Sequence, residues 1–495
     1  MYQRVIIIFI LIFHFGKTYA KLEFSYNYRK AYEHVTALRY NQSLFYIEAE
    51  KKANPANNLI MVVENYKICM EILLNENKEL LNNYAKTKDK IIKTLESENE
   101  KNPYYLYALG EINMQWGFAC IKTGEYLSGV LAINKAYKLF TRNAEKYPNF
   151  IPQLKSLGLL HSLIGIVPDE YKWAVSILGF KGSLIEGTNE LNQYYSVALK
   201  DTLYKCFQTE ATLIYSIIQI NFNPDKNNLN KILQQINSQN QLNPILSFAY
   251  ADICMHNGNI DEAIYHLQNN TYSETQYLKF HYLNYILGSA KLYRLDNDAN
   301  VYLEKYIKQF KGQSFLKSAC LKLAYFYLVQ NNTEKYFYWL KQIDKYGNEM
   351  TDEDKEAQKQ VNNTALPNIY LLKSRLLFDG GFYHQSHKSL IQLKKEDLMT
   401  TRDRLEFIYR LGRIEHKLDN NKKAIYYYKI VLKNGSSYSY YYAANAALNL
   451  GNIYEELHDK PKAKYYFEEC LKLRNHEYQR SIDQKAKAGL KRLSE

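Results

Sequence analysis

One short pattern recurs through the second half of the chain and restricts its fold class more than any other feature. In the clearest copy Leu450-Gly451 is followed by Tyr454, by Ala463 twelve residues past the glycine, and by Phe467 four residues later. The same frame fits Leu411-Gly412 with Ala424 and Tyr428, Ser374 with Ser386 and Leu390, Ala324 with Tyr336 and Leu340, and Ala251 with Ala263 and Leu267. Gly288 carries it loosely, with Ala299 one place out of step. Such spacing describes two antiparallel helices whose small residues meet at the crossing. A larger side chain there would drive the backbones apart, and the Leu, Tyr and Phe positions fill the groove around the contact.

The leading small positions 251, 288, 324, 374, 412 and 451 recur at nearly even steps, with one long step between 324 and 374. The excess falls in 344–367, whose Thr351-Asp352-Glu353-Asp354-Lys355-Glu356 reads as a solvated insertion on one face. The first half carries fainter copies. Trp116-Gly117 with Gly129, and Leu157-Gly158 with His161, look like first helices whose partners are abnormal. A long helix is expected over 132–147, ended before Pro148, and amphipathic helices over 32–53 and 59–74. No strand pattern occurs, and 20 Gly and 9 Pro against 48 Tyr disfavour turn-dense sandwiches and barrels. An all-α solenoid follows.

Over about residues 245–475 the chain resembles the tetratricopeptide-repeat superfamily, the three C-terminal units most clearly. The resemblance implies a right-handed superhelix with a concave binding face, lined by positions two, five, nine, twelve and thirteen of each first helix. For the unit beginning at Leu405 these are Glu406, Tyr409, Arg413, His416 and Lys417; for that at Ala444, Asn445, Leu448, Asn452, Glu455 and Glu456. Gly158, Pro168, Gly179-Phe180-Lys181-Gly182 and Gly187 are also similar to a eukaryotic tetratricopeptide family of the mitochondrial outer membrane and inclusion-body clearance. Exported proteins of Bacteroidetes-type bacteria look similar too, and the Asn, Lys, Ile and Tyr richness suits such a source.

Residues 1–20 read as a secretory signal: Arg4, an apolar run from Val5 to Phe13, then small residues at 18 and 20. The mature chain would start at Lys21, with no Cys there to carry a lipid anchor. Its domains are then 21–245, a divergent helical region; 246–475, the repeats; and 476–495, a capping helix. Export sets the expected location as periplasm, outer-membrane associated or secreted, with peripheral membrane contact open and no second stretch long enough to span. The formal charge of +13 loses Arg4 and Lys17 on cleavage, leaving +11 spread along the chain without a basic run. A nucleic-acid role is therefore not expected. The six cysteines stand far apart, in apolar helical contexts that suit buried free thiols.

Chemistry is sparse. His384 and His387 share a helical face but lack a third ligand, so no metal site and no cofactor is expected. Gly179-Phe180-Lys181-Gly182 could cradle a phosphate, yet no strand precedes it; a tight helix connection with a left-handed Gly is favoured. Protease, hydrolase and P-loop motifs are absent. Tyr426-Tyr427-Tyr428 and the tyrosines of 438–442 cannot all point inward, so some offer flat exposed rings. The expectation is a scaffold without catalysis that binds a protein or peptide. The alternatives are a glycan-binding component of an outer-membrane uptake system, and an enzyme built around His161, Asp169, Glu170 and Trp173.

Overall fold

The structure is a computed structural model that describes residues 22–167, 172–222, 225–239, 243–273, 275–361 and 365–494. The signal segment and Pro168, Asp169 and Glu170 lie outside the described residues. Within them the chain is all-α, with no strand and no helix long and apolar enough to cross a membrane. It divides into two compact units: residues up to Ile232 with segments near 243–246 and 272–279, and then 233–238, 247–271 and everything from Phe280 on.

The first unit holds α1 (Tyr26–Thr36), α2 (Tyr40–Ala53), α3 (Ile60–Asn75), α4 (Lys78–Glu96), α5 (Pro103–Lys122), α6 (Tyr126–Lys146), α7 (Gln153–Gly165), α8 (Lys172–Ile177), α9 (Leu184–Lys200) and α10 (Gln208–Phe222). The continuous helix expected over 32–53 is broken: Leu38 takes a φ of 61° between α1 and α2, with no Gly or Pro to announce it. The helix expected from 132 starts at Tyr126, so that Gly129 sits inside it against Gly117. A Cβ on either glycine would come within 3.0 Å of the other's carbonyl oxygen. α7 repeats this crossing with α9, where Gly158 meets Gly187 and Leu191. The path from Gly158 to Gly187 is more than twice as long as that from Gly451 to Ala463, so an intervening segment that includes the short α8 interrupts one helix pair. At the centre of the unit the buried Lys155 ammonium lies 2.7 Å from Glu111 and 3.6 Å from Glu210. Tyr32 and Tyr66 donate to Glu210 and Ser156 donates to Glu111, a polar knot that ties α1, α3, α5, α7 and α10 together.

Helices α11 (Lys226–Asn237) and α12 (Pro244–His256) carry the chain across the division. The second unit continues with α13 (Ile260–Asn269), α14 (Tyr282–Tyr293), α15 (Ala299–Gln309), α16 (Leu316–Val329), α17 (Thr333–Gln342), α18 (Asp352–Val361), α19 (Ile369–Asp379), α20 (Tyr383–Leu390), α21 (Thr401–Lys417), α22 (Asn421–Gly435), α23 (Tyr442–Glu456), α24 (Lys460–Lys472) and α25 (Gln479–Ser494). The small positions do what the spacing demands. A Cβ on Gly412 would meet the Tyr428 ring at 2.9 Å, one on Gly451 the Phe467 ring at 2.5 Å, and Ala424 and Ala463 are fully buried. Ser374 and Ser386 face each other with hydroxyls 2.9 Å apart. Leu411, Leu450 and Tyr454 close the core beside them. α25 lies on α23 and α24, covering the last groove with Ile482 and Ala486.

The insertion is solvated on one side only. It folds into α18, which packs on α16 and buries Asp354 completely. α16 is preceded by Phe315 at its N-cap, with a φ of 61° and no side chain able to cap the helix. Asp354 supplies one from outside, accepting the N–H of Phe315 at 2.6 Å and of Ser318 at 2.9 Å, and the Thr351 hydroxyl at 2.8 Å. Asp352 and Glu353 remain exposed.

Candidate functional site

First helices in the second unit pack side by side: α14 on α16, α16 on α19, α19 on α21, and α21 on α23. The second helices α15, α22 and α24 instead pack against the first helices that flank them. The closer packing of the first helices puts them on the inside of the curve, while the second helices meet more loosely, as where Gln268 of α13 reaches the Tyr302 hydroxyl of α15 at 3.4 Å, and splay outward. The inner wall closes tightly at the ends of its helices. The turn after α19 lies against the turn after α12, where a Cβ on Gly381 would come within 2.7 Å of the Gly258 Cα, and Gly380 sits against Tyr293.

This wall carries cations stacked on rings. Lys322 lies 5.5 Å above both Tyr285 and Tyr293, Arg375 lies 4.6 Å above Tyr325, and Arg413 lies 4.1 Å above Phe378. Among the described residues none of these three has a carboxylate within 4.0 Å. Burial tends to depress the ammonium of Lys322, but the nearby tyrosines more than offset it and hold its pKa above the usual lysine value. Glu406 is differently placed. It accepts from the Arg410 guanidinium and, at 2.7 Å, from the Tyr442 hydroxyl; burial works against its charge, yet Arg410 holds its pKa below the usual value.

The expected lining residues have unequal fates. Arg413 is half-buried on the wall and Lys417 is exposed. Tyr409 is buried among Tyr428, Tyr441 and Tyr442 and packs the wall instead of lining it, because the aromatic run before α23 folds back over its ring. Leu448 is buried as well. His416 stands 3.7 Å from Glu456, and burial lowers its pKa. Glu455 is gripped by Arg492 of α25 at 2.8 and 2.6 Å, so the cap occupies that carboxylate. Asn445 and Asn452 are half-buried. Lys322, Arg375, Tyr325 and Phe378 were not among the expected residues. The signal for three of them lies in the frame itself, since Tyr325 and Arg375 stand at position nine of their helices, as Arg413 does, and Phe378 at position twelve.

In the first unit the Gly-rich turn is a connection. Gly179 takes a φ of 76°, Phe180 packs edge-on to Tyr137, and the Tyr137 hydroxyl is bonded to both the N–H and the carbonyl of Lys181. Those backbone groups are thereby spent and make no phosphate cradle. Gly182 touches His161, and Trp173 is exposed on α8. His161 itself hydrogen-bonds Glu190 of α9, 2.7 Å from Nδ1, with Glu186 at 3.7 Å. The His384 and His387 pair lies on α20, flanking buried Ser386. All six cysteines are buried and free.

No protein-family profile matches the chain, and neither does any curated protein. Among solved structures the chain is similar to the TPR domain of P58(IPK), at 13% identity over 85% of this chain and 98% of that one, with a TM-score of 0.23. A score that low is no ground for a fold assignment. The solenoid of helix pairs stands on the crossings and helix contacts above.

Proposed function

We propose that the chain is an exported, non-catalytic scaffold that binds an acidic stretch of a protein or peptide along the inner wall of its second unit. The observation that carries this reading is the set Lys322, Arg375 and Arg413, each stacked on an aromatic ring and none paired with a carboxylate. A half-buried cation held on a ring face, with no carboxylate within 4.0 Å among the described residues, keeps donors free for an incoming carboxylate, which suits a binding surface. Export rests on the first twenty residues, and it favours kinship with the exported tetratricopeptide proteins of the Bacteroidetes type over the mitochondrial family. The test is cross-linking of the tagged chain in its own cells. Capture of a reproducible partner that disappears on Arg375→Ala with Arg413→Ala, while the helical signal is unchanged, supports the reading. Capture insensitive to both substitutions sinks this surface.

A second reading draws on the outer side. Tyr265, Tyr338, Tyr426 and Tyr465 all stand fourteen residues past the small residue of their first helix, on the second helices, and are 72, 54, 62 and 53% exposed. Exposed flat rings recurring at the same place in four of the six units suit a glycan, whose sugar faces stack on tyrosine. Binding of polysaccharide that falls with Tyr426→Ala and Tyr465→Ala would favour it over the protein partner.

A further inference from the structure

The interrupted helix pair of the first unit brings together three side chains that no function so far uses. Glu186 and Glu190 are one turn apart on α9 and share a face. His161 projects toward them from α7. Their ligating atoms all lie within 4.8 Å of one another, and His161 is buried, Glu190 half-buried and Glu186 open to solvent. The approach is built in. Gly158 and Gly187 hold the two helix backbones in contact, Gly165 abuts the backbone of Leu184, and Gly182 packs on the Cα of His161, so no side chain separates the imidazole from the carboxylates. Tyr137 packs edge-on to the ring from α6, 6.0 Å away, which fixes its plane.

We infer that His161, Glu186 and Glu190 form a binding site for a divalent transition metal, zinc foremost, with at least one coordination position open to solvent. Charge and geometry support the choice. One neutral imidazole and two carboxylates carry a charge of −2, which a divalent cation cancels and a single proton on the imidazole does not. Ligands about 2.1 Å from a tetrahedral zinc lie roughly 3.4 Å from each other. The separation of 3.7 Å between His161 and Glu186 already matches, and that of 2.7 Å to Glu190 needs only the breaking of one hydrogen bond. One nitrogen with two oxygens suits zinc, manganese or iron better than calcium, which takes six or more oxygens. Three protein ligands with a remaining position leave the ion accessible to a ligand from solution, unlike a closed four-ligand structural site.

The test is a titration of the chelator-stripped full chain with Zn2+ by calorimetry, and with Co2+ by its visible absorption. The expected result is one ion per chain, with visible bands of a four- or five-coordinate cobalt. Affinity should fall by more than about tenfold in His161→Ala and in Glu190→Gln, since even partners outside the ligand set cost about 10–100-fold. Glu186→Gln serves where folding is a concern, because that side chain is exposed and its loss leaves the helix crossing untouched. The double variant His384→Ala with His387→Ala should bind as the parent does. Absence of stoichiometric binding by the parent chain overturns the inference, as does binding that persists in the His161 and Glu186 variants or vanishes with the α20 histidines.

Discussion

Removing one buried carboxylate from the insertion should unfasten a helix more than thirty residues away in sequence. In Asp354→Ala the N–H groups of Phe315 and Ser318 lose their acceptor while Ser318 stays buried. A lost N-cap costs about 0.5–2 kcal/mol, and a buried donor left unpaired about 1–3 kcal/mol. The two overlap, so about 3 kcal/mol is expected. Asp354→Asn keeps an acceptor oxygen and should lose about 1 kcal/mol. Glu353→Ala, one residue away and exposed, should stay within about 0.5 kcal/mol of the parent. Urea unfolding followed by circular dichroism reads the differences. The chain has two units, so the transition assigned to the second unit is the one compared. Equal midpoints for the Asp354→Ala and Glu353→Ala chains would refute the cap and return the insertion to solvent.

Burial, opposed by Glu262, lowers the pKa of His266 from 6.5 to about 4, its ring stacked on Tyr250 and bonded to Ser247. The fold therefore prefers the neutral ring. Its contribution is whole above pH 6.5 and lost as pH falls toward 4, by as much as about 3 kcal/mol; a chain with His266→Gln should show a flatter acid limb. Burial raises Asp252 from 3.8 to about 6, the opposite sign. Its contribution is present below pH 3.8 and lost as pH rises through 6, so Asp252→Asn should raise the melting temperature at neutral pH and leave it unchanged in acid below that range. In Gly187→Ala the new methyl would strike the Ser162 backbone and the Gly158 carbonyl, which should cost the first unit about 3 kcal/mol in unfolding experiments. The native chain should resist a thiol reagent and release six thiols on denaturation.

The repeats were legible because their spacing is a packing constraint that few other sequences satisfy. Gly412 with Ala424, and Gly451 with Ala463, announce a crossing wherever they fall. The same crossing between Gly158 and Gly187 escaped detection because an extra segment with its own short helix separates its halves, and a spacing rule sees only uninterrupted pairs. Asp354 looked like one more acid in a polar run, since nothing local records that the helix starting at Leu316 has no capping side chain at Phe315. The same limit applied to the wall. Position nine of one helix can be read from sequence, but that Arg375 lies over Tyr325 depends on the stacking of consecutive units. Glu186 and Glu190 were missed although their spacing of one helical turn is plain, because their partner His161 precedes the interruption.

The contact between Gly258 and Gly381 changes what kind of object the second unit is. A solenoid whose repeats touch only their neighbours behaves as a row of dominoes, fraying from either end at little cost. Here the first turn is hooked to the fourth through bare backbone. Units held in such a loop must let go together, so the curvature of the wall is a latched shape and not a spring's resting point. A bulky residue at either glycine would release the latch and hand the stack back its elasticity.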